Sequence, residues 1–313
     1  MPEYTTDNPY IITKFPGKYY IDETNRFTVP RMINGSKPTD DGNLIIEAED
    51  YEDFIKNEPA AEKYIRRYIG AREFIHNELR YCLWLVDCPP DELRKMKLVY
   101  ERVKAVREFR LKSTDKDTVK DAEKPALFQE IRQPKTDYLC VPRHSSEKRK
   151  YIPIGWMSKD IIAGDAVQCI PDATLWLFGQ LTSIVHMAWM RVVAGRIRMD
   201  YRYSATIVYN NFVFINADKK RKAKIEKAAQ KILDARANYP NASLADLYDE
   251  VAMPLDLRKA HNENDAAVMD AYGYPSNFTE EQMVADLFLR YQAMLTGIPE
   301  TLIAATSRRN FKN

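Results

Sequence analysis

The sequence predicts an α+β protein: a mixed α/β domain over residues 1–215, then a small helical domain over 216–313. Three observations carry this. Short apolar runs alternate with turns between Tyr138 and Pro171, the strongest helical periodicity follows over 175–193, and beyond Asn216 only helical periodicities remain. The chain has 313 residues, of which 45% are hydrophobic and 11% aromatic, enough to bury a core and to exclude disorder or collagen-like repeats.

The first 40 residues are rich in Pro, Gly, Asn and Asp and read as an extended lead-in. Tyr81-Cys82-Leu83-Trp84-Leu85-Val86 is an aromatic and apolar run that predicts a buried strand. Pro89-Pro90-Asp91-Glu92 opens a helix, because proline and acidic residues suit a first turn. Val99, Val103, Val106 and Arg110 continue that helix at its spacing. The charged stretch 113–124 is expected to be a mobile loop. Strands are predicted at 138–141, 151–154 and 166–170. Leu175, Phe178, Leu181, Val185, Ala188, Trp189 and Val192 then predict one long helix, with Gly195 as its left-handed C-cap. A strand is predicted at 206–209. Ile225, Ala228, Ala229, Ile232 and Ala235 form an amphipathic stripe. Helices are also predicted at 243–248 and 255–271, and Thr279–Gln282 is a capping-box pattern before another.

Several functions are excluded or disfavoured by what the residues lack. The ten glycines form no GxG pair, so no dinucleotide, S-adenosylmethionine or P-loop cradle is predicted. Asn8-Pro9-Tyr10 is close to the Asn-Pro-Pro-Tyr signature of amino-methyltransferases. It lacks the second proline and a preceding cofactor fold, and it reads as a turn. The cysteines at 82, 88, 140 and 169 form no CxxC, and Cys140 with His144 supplies too few ligands for zinc, so no metal site is expected. His186, in the Trp-containing helix, reads as a packing histidine. The polar, acidic opening carries no secretory signal, and the 175–193 stretch contains Gln180, His186 and Arg191, so a cytoplasmic protein without a membrane span is expected.

Positive charge concentrates in the middle. Residues 132–222 carry 15 basic and 7 acidic side chains, net +8, between flanks of net −3 each, which suits either an anionic partner or a solvated surface. Two segments hold much of it. In Pro142-Arg143-His144-Ser145-Ser146-Glu147-Lys148-Arg149-Lys150-Tyr151, Arg143 can address guanine while Ser145, Ser146, Lys148, Arg149 and Lys150 can hold phosphates; a solvated hairpin is the alternative. In Gly195-Arg196-Ile197-Arg198-Met199-Asp200-Tyr201-Arg202-Tyr203-Ser204, an extended chain would place Arg196, Arg198, Asp200 and Arg202 on one face. Arginine suits guanine and aspartate the cytosine amine, with Arg196, Tyr201 and Tyr203 towards the backbone; an Arg/Asp network bracing the long helix is the alternative.

These segments, with His186-Met187-Ala188-Trp189-Met190, Tyr209-Asn210-Asn211-Phe212, 223–237 (AKIEKAAQKILDARA), Ala245-Asp246-Leu247-Tyr248 and Ala271-Tyr272-Gly273-Tyr274, resemble successive motifs of one module. It is the target-recognition domain and C-terminal helical domain of MmeI-type restriction-modification enzymes and related adenine-specific DNA methyltransferases. Gly42-Asn43-Leu44, 61–70 and 81–87 extend the resemblance upstream, so that it runs from about residue 30 to 296. It implies a double-stranded DNA partner and a methyltransferase domain or subunit, often with a nuclease. That partner would use S-adenosylmethionine to methylate a flipped adenine. The resemblance further implies that Arg198 and Asp200 read bases, that Asp165 and Ala166 form a second reading position working with Arg202, and that the region of Arg143 forms a third. No catalytic residue is expected here, and the chain reads as the recognition half of such an enzyme, whether a separate polypeptide, a truncated product or an excised piece. The competing reading is a non-catalytic nucleic-acid-binding or protein-interaction module, such as a restriction decoy.

Overall fold

A computed structural model describes residues 29–296; the Asn8-Pro9-Tyr10 turn and most of the predicted lead-in lie outside the described residues. The described residues build three small sheets and wrap them with helices, a mixed α+β architecture. In the first part, β1 (Ile33–Asn34), β2 (Ile45–Glu47), α1 (Tyr51–Asn57), β3 (Ile65–Ile69), α2 (Ala71–His76) and β4 (Arg80–Leu83) lead to α3 (Pro90–Lys95) and α4 (Lys97–Leu111). The predicted strand at 81–86 thus starts a residue earlier and ends at Leu83. The single helix expected after Pro90 is two, broken at Met96, whose backbone leaves the helical region at φ −86°, ψ 88° while its side chain enters the core.

The expected mobile loop at 113–124 is ordered. Asp115 caps α5 (Lys116–Lys120) by accepting from the Asp117 and Thr118 amides, and a further helical turn follows at Asp121–Glu123. Its order comes from Arg110, which is buried at the end of α4. The guanidinium donates to the carbonyls of Pro38, Thr39, Asp121, Lys124 and Leu127 at 2.8–3.1 Å, tying the 38–39 and 121–127 segments to the end of α4.

The central part runs through β5 (Tyr138–Pro142), β6 (His144–Ser145), β7 (Gly155–Met157), β8 (Ile162–Ala163) and β9 (Val167–Pro171). One sheet has the order β1-β9-β5-β7, all antiparallel; another has β2-β4-β3-β8, with only β3–β8 parallel. The strand expected at 151–154 is instead a buried irregular segment. Pro153 cannot donate to a ladder, and the Ile154 carbonyl is taken by Arg236 at 2.6 Å. Pairing begins only at Gly155.

The long helix predicted over 175–193 is α6 (Leu175–Leu181) followed by α7 (Ile184–Val193). Thr182 Oγ1 donates to the Phe178 carbonyl and Ser183 Oγ accepts from the His186 amide, so local side-chain bonds interrupt one helix and cap the next. Gly195 is not a left-handed cap: Ala194 ends α7 in an extended conformation, and Gly195 opens β10 (Gly195–Ile197), which turns into β11 (Asp200–Arg202). The strand expected at 206–209 is a wide helical turn, Ala205–Tyr209, closed by the Asn210 amide on the Ala205 carbonyl and by Asn211 Nδ2 on the Thr206 and Ile207 carbonyls.

Beyond it lie α8 (Lys219–Ala237), α9 (Leu244–Leu247), α10 (Leu255–Tyr272) and α11 (Glu280–Thr296). The buried stripe of α8 is Ile225, Ala228, Ala229, Ile232 and Ala235, as its periodicity predicts. This stripe joins a core that also contains Leu139, Val141, Phe178, Trp189 and Tyr209, so the largest core draws from both sides of residue 216.

Candidate nucleic-acid interface

Strand β5 delivers the chain to Arg143, and three segments meet there. The Arg143 amide donates to the Ala166 carbonyl at 3.0 Å, its Nη1 donates to the Asp165 carbonyl at 2.8 Å, and its own carbonyl accepts from the Tyr203 amide at 2.8 Å. One residue later β6 pairs with β11, Ser145 opposite Tyr201 and His144 opposite Arg202. The two basic segments, separated by more than 40 residues, therefore share one three-stranded sheet of order β10-β11-β6, the first supplying one edge and the second the centre and the other edge. Arg143, the Asp165–Ala166 turn and the hairpin lie side by side.

The hairpin itself differs from the extended chain expected over 196–202. Cross-strand partners are Gly195 with Arg202, Arg196 with Tyr201 and Ile197 with Asp200, leaving Arg198 and Met199 as the turn. Opposed residues share a face, so Asp200 and Arg202 lie on one face and Arg196 on the other. Arg196 lies 4.5 Å from the Tyr201 ring centroid, donates to the Met199 carbonyl at 3.0 Å and pairs with Glu147 at 3.6 Å. It braces the turn, on the face opposite Asp200 and Arg202. Arg198 sits at φ +56°, a left-handed conformation that a β-carbon disfavours and that two-residue hairpin turns usually give to glycine. Such an outlier at an exposed tip is a reason to look for function. No side-chain hydrogen bond or ion pair engages Arg198, Asp200 or Arg202 among the described residues, and all three are exposed.

Three residues expected at the DNA backbone are buried. Tyr203 is enclosed, with its hydroxyl on His186 Nε2 at 2.9 Å, and burial pushes its phenol well above the ordinary range. Tyr201 lies under Arg196, and Ser145 is buried beside it in the sheet. Ser145 Oγ and the Tyr203 hydroxyl are enclosed, which runs against the backbone role expected of those two. Lys148 and Lys150 are exposed, and Ser146 shapes their turn by accepting from the Lys148 amide. Arg149 is half-buried near Asp200 and Asp249; burial lowers its basicity and the two carboxylates oppose that.

The basic loop is anchored from behind by residues that no local pattern announced. Tyr151 donates to Asp265 at 2.6 Å and stacks on His261 at 4.1 Å, while His261 Nε2 meets the Tyr248 hydroxyl at 2.7 Å. Asp265 also accepts from the Ile184 amide, and burial raises its carboxyl above the ordinary range. Arg191 donates to the Lys150 carbonyl and pairs with Glu280. A cleft of about 410 Å³ separates the loop from the start of α10, with Lys148, Lys150, Arg191 and Arg258 among its walls.

Among the described residues, no group of three or more His, Cys, Asp or Glu side chains could share an ion. Burial pushes the Cys140 thiol well up, and burial with the Arg143 and Arg202 charges pushes the His144 imidazole down. No helix among the described residues is long and apolar enough to cross a membrane.

Residues 20–216 match the family model of the MmeI target recognition domain, and residues 216–299 match that of the MmeI C-terminal domain. The chain is 36% identical over 291 residues to DNA methyltransferase A of Bacillus subtilis (strain 168), which covers 93% of this chain and 32% of that protein. It is also similar to a solved structure of the type IIL restriction-modification enzyme MmeI in complex with DNA. The TM-score is 0.85 at 48% identity, over 86% of this chain and 36% of the other. The chain thus spans about a third of the length of these relatives.

Proposed function

Because this chain belongs to the MmeI family, matching its target-recognition and C-terminal domains in succession, we propose that it reads a short sequence in duplex DNA on behalf of a restriction-modification methyltransferase. The observation that carries the reading is the convergence of Arg143, the Asp165–Ala166 turn and the hairpin, with Arg198, Asp200 and Arg202 left uncommitted at the surface. An arginine presents two parallel donors to guanine O6 and N7, and a carboxylate accepts from the cytosine N4 amine. Arg198 and Asp200 are the first readers, and Asp165, Ala166, Arg202 and Arg143 complete the reading surface. Lys148, Arg149, Lys150 and Ser146 hold phosphates and set the register.

Methyl transfer to adenine with S-adenosylmethionine, and any coupled nuclease, belong to the partner domain or subunit. The tightly placed glycines of this chain serve packing: Gly35 abuts the Gly164 backbone, Gly164 abuts Tyr68, and Gly179 abuts Ile225.

Selection of bound duplexes from a randomised pool, with and without a methyltransferase partner, tests the proposal. An enriched short motif is expected. Arg198→Ala should then weaken binding to that motif by ~1–3 kcal/mol while sparing non-specific duplex. Equal loss on both would make Arg198 a phosphate contact. Salt-sensitive binding without a motif would reduce the site to a generic basic surface.

A further inference from the structure

The tip of the hairpin carries two large apolar side chains in the open. Met199 is 62% exposed and Ile197 48%. Exposure alone says little, since Val251 and Leu255 are more exposed on the helical side of the molecule. What distinguishes the tip is placement. Ile197 is the cross-strand partner of Asp200, so the two side chains leave the same face of the ribbon with neighbouring β-carbons. Met199 lies between Arg198 and Asp200 in the chain.

The turn is held firmly enough for such side chains to discriminate. Arg196 clamps the Met199 carbonyl, stacks on Tyr201 and pairs with Glu147. Tyr201 and Tyr203 root β11 in the core, and the β6 pairing fixes its other edge. An apolar pair on a pre-formed, protruding tip is positioned to be covered by something flat and narrow.

The chemistry of the major groove supplies that surface. On a pyrimidine, the C5 position sits beside the C4 substituent: next to N4 in cytosine and next to O4 in thymine, where C5 carries a methyl group. A carboxylate that accepts from N4 therefore brings an aliphatic neighbour on the same face towards C5. We propose that Ile197 and Met199 form an apolar reading edge that senses the C5 substituent of a pyrimidine in the target, adding to the polar readers. The inference rests on the hairpin being the base reader, as argued above.

The test uses the full chain and the motif obtained by pool selection. Each thymine of the motif is replaced in turn by deoxyuridine and each cytosine by 5-methylcytosine, and competition binding is measured for wild type, Ile197→Ala and Met199→Ala. At one pyrimidine or more, the change at C5 should shift wild-type affinity about threefold to tenfold, the scale of one methyl group. In at least one variant that shift should vanish, with the melting temperature unchanged because both side chains are exposed. A C5 series flat across the motif, or a shift surviving in both variants, overturns this inference. In that case an intact motif that still depends on Arg198 leaves the base-reading proposal standing. A pool that yields no motif overturns both.

Discussion

His186 shows how one residue type can be read correctly and still hold a surprise. Its place in an apolar helix marks it as a packing histidine. The structure encloses it completely against Phe212 and the Tyr203 hydroxyl, and burial lowers its pKa to about 3. Its neutral form is the folded form. The stability it contributes is fully present above the unfolded value near 6.5 and is lost as pH falls from there towards 3. His261, buried and depressed by the same cause, acts in the same direction. Asp265 acts oppositely, because its raised carboxyl favours the fold as it protonates. Thermal melts between pH 7 and 4.5 should therefore show a decline below about 6.5 that is shallower in His186→Gln, by up to about 1.4 kcal/mol per pH unit. Parallel pH profiles for the two proteins would mean the imidazole is not held neutral. Arg110 teaches the complementary lesson. Its spacing marks a helix position, but nothing local says that its guanidinium would satisfy five carbonyls and order the 113–124 segment.

Elements were most legible where periodicity ran uninterrupted. The α8 and α10 stripes and the capping box before α11, where Thr279 and Gln282 bond reciprocally, follow directly from the residues. Three of the misplaced elements share a cause: a short polar side chain bonded to the backbone. Thr182 and Ser183 split the long helix, Asp115 started one in an expected loop, and Ser204 with Asn211 wound an expected strand into a turn. These residues carry the relevant signal in the sequence, and hydrophobic pattern outweighs it only when tertiary contacts agree. Helix packing also sets a sharp constraint at Gly179. A β-carbon there would lie 2.6 Å from Ile225 Cγ2 and 3.0 Å from Asn264 Oδ1, while the Gly179 carbonyl already accepts from Asn264. Gly179→Ala should cost about 1–3 kcal/mol by forcing α6 away from α8 and α10. A calorimetric melt at neutral pH checks it, and an unchanged midpoint would show that this junction can open without penalty.

On the scale of the whole molecule, the net charge of +8 over 132–222 gains meaning from where the fold puts it. Loop and hairpin are drawn into one sheet, and the loop is tied through Tyr151, Asp265 and Arg191 to the helices that close the chain. If this surface meets phosphates, affinity for any duplex should fall with salt. Lys148→Ala with Arg149→Ala should flatten the log–log slope by roughly 1 to 2. Lys148 is expected to contribute the larger part, because Arg149 already sits near Asp200 and Asp249. Titration at several salt concentrations measures the slope, and an unchanged one would remove the loop from the interface.

The sequence by itself determined the mixed α+β class, the helical character beyond residue 216, the two basic segments and the motifs that mark the family. These depend on residue type and spacing along the chain, and spacing survives folding. Only the tertiary structure decided that the two segments are neighbours in one sheet, that Arg196 faces away from Asp200 and Arg202, and that Tyr201, Tyr203 and Ser145 are buried. Alternation tells which side chains share a face only once it is known where the chain reverses. Here it reverses at Arg198 and Met199, which carry no glycine or asparagine to announce a turn. The left-handed φ of Arg198 is imposed by strands paired on both sides and by Arg196 closing the loop beneath it.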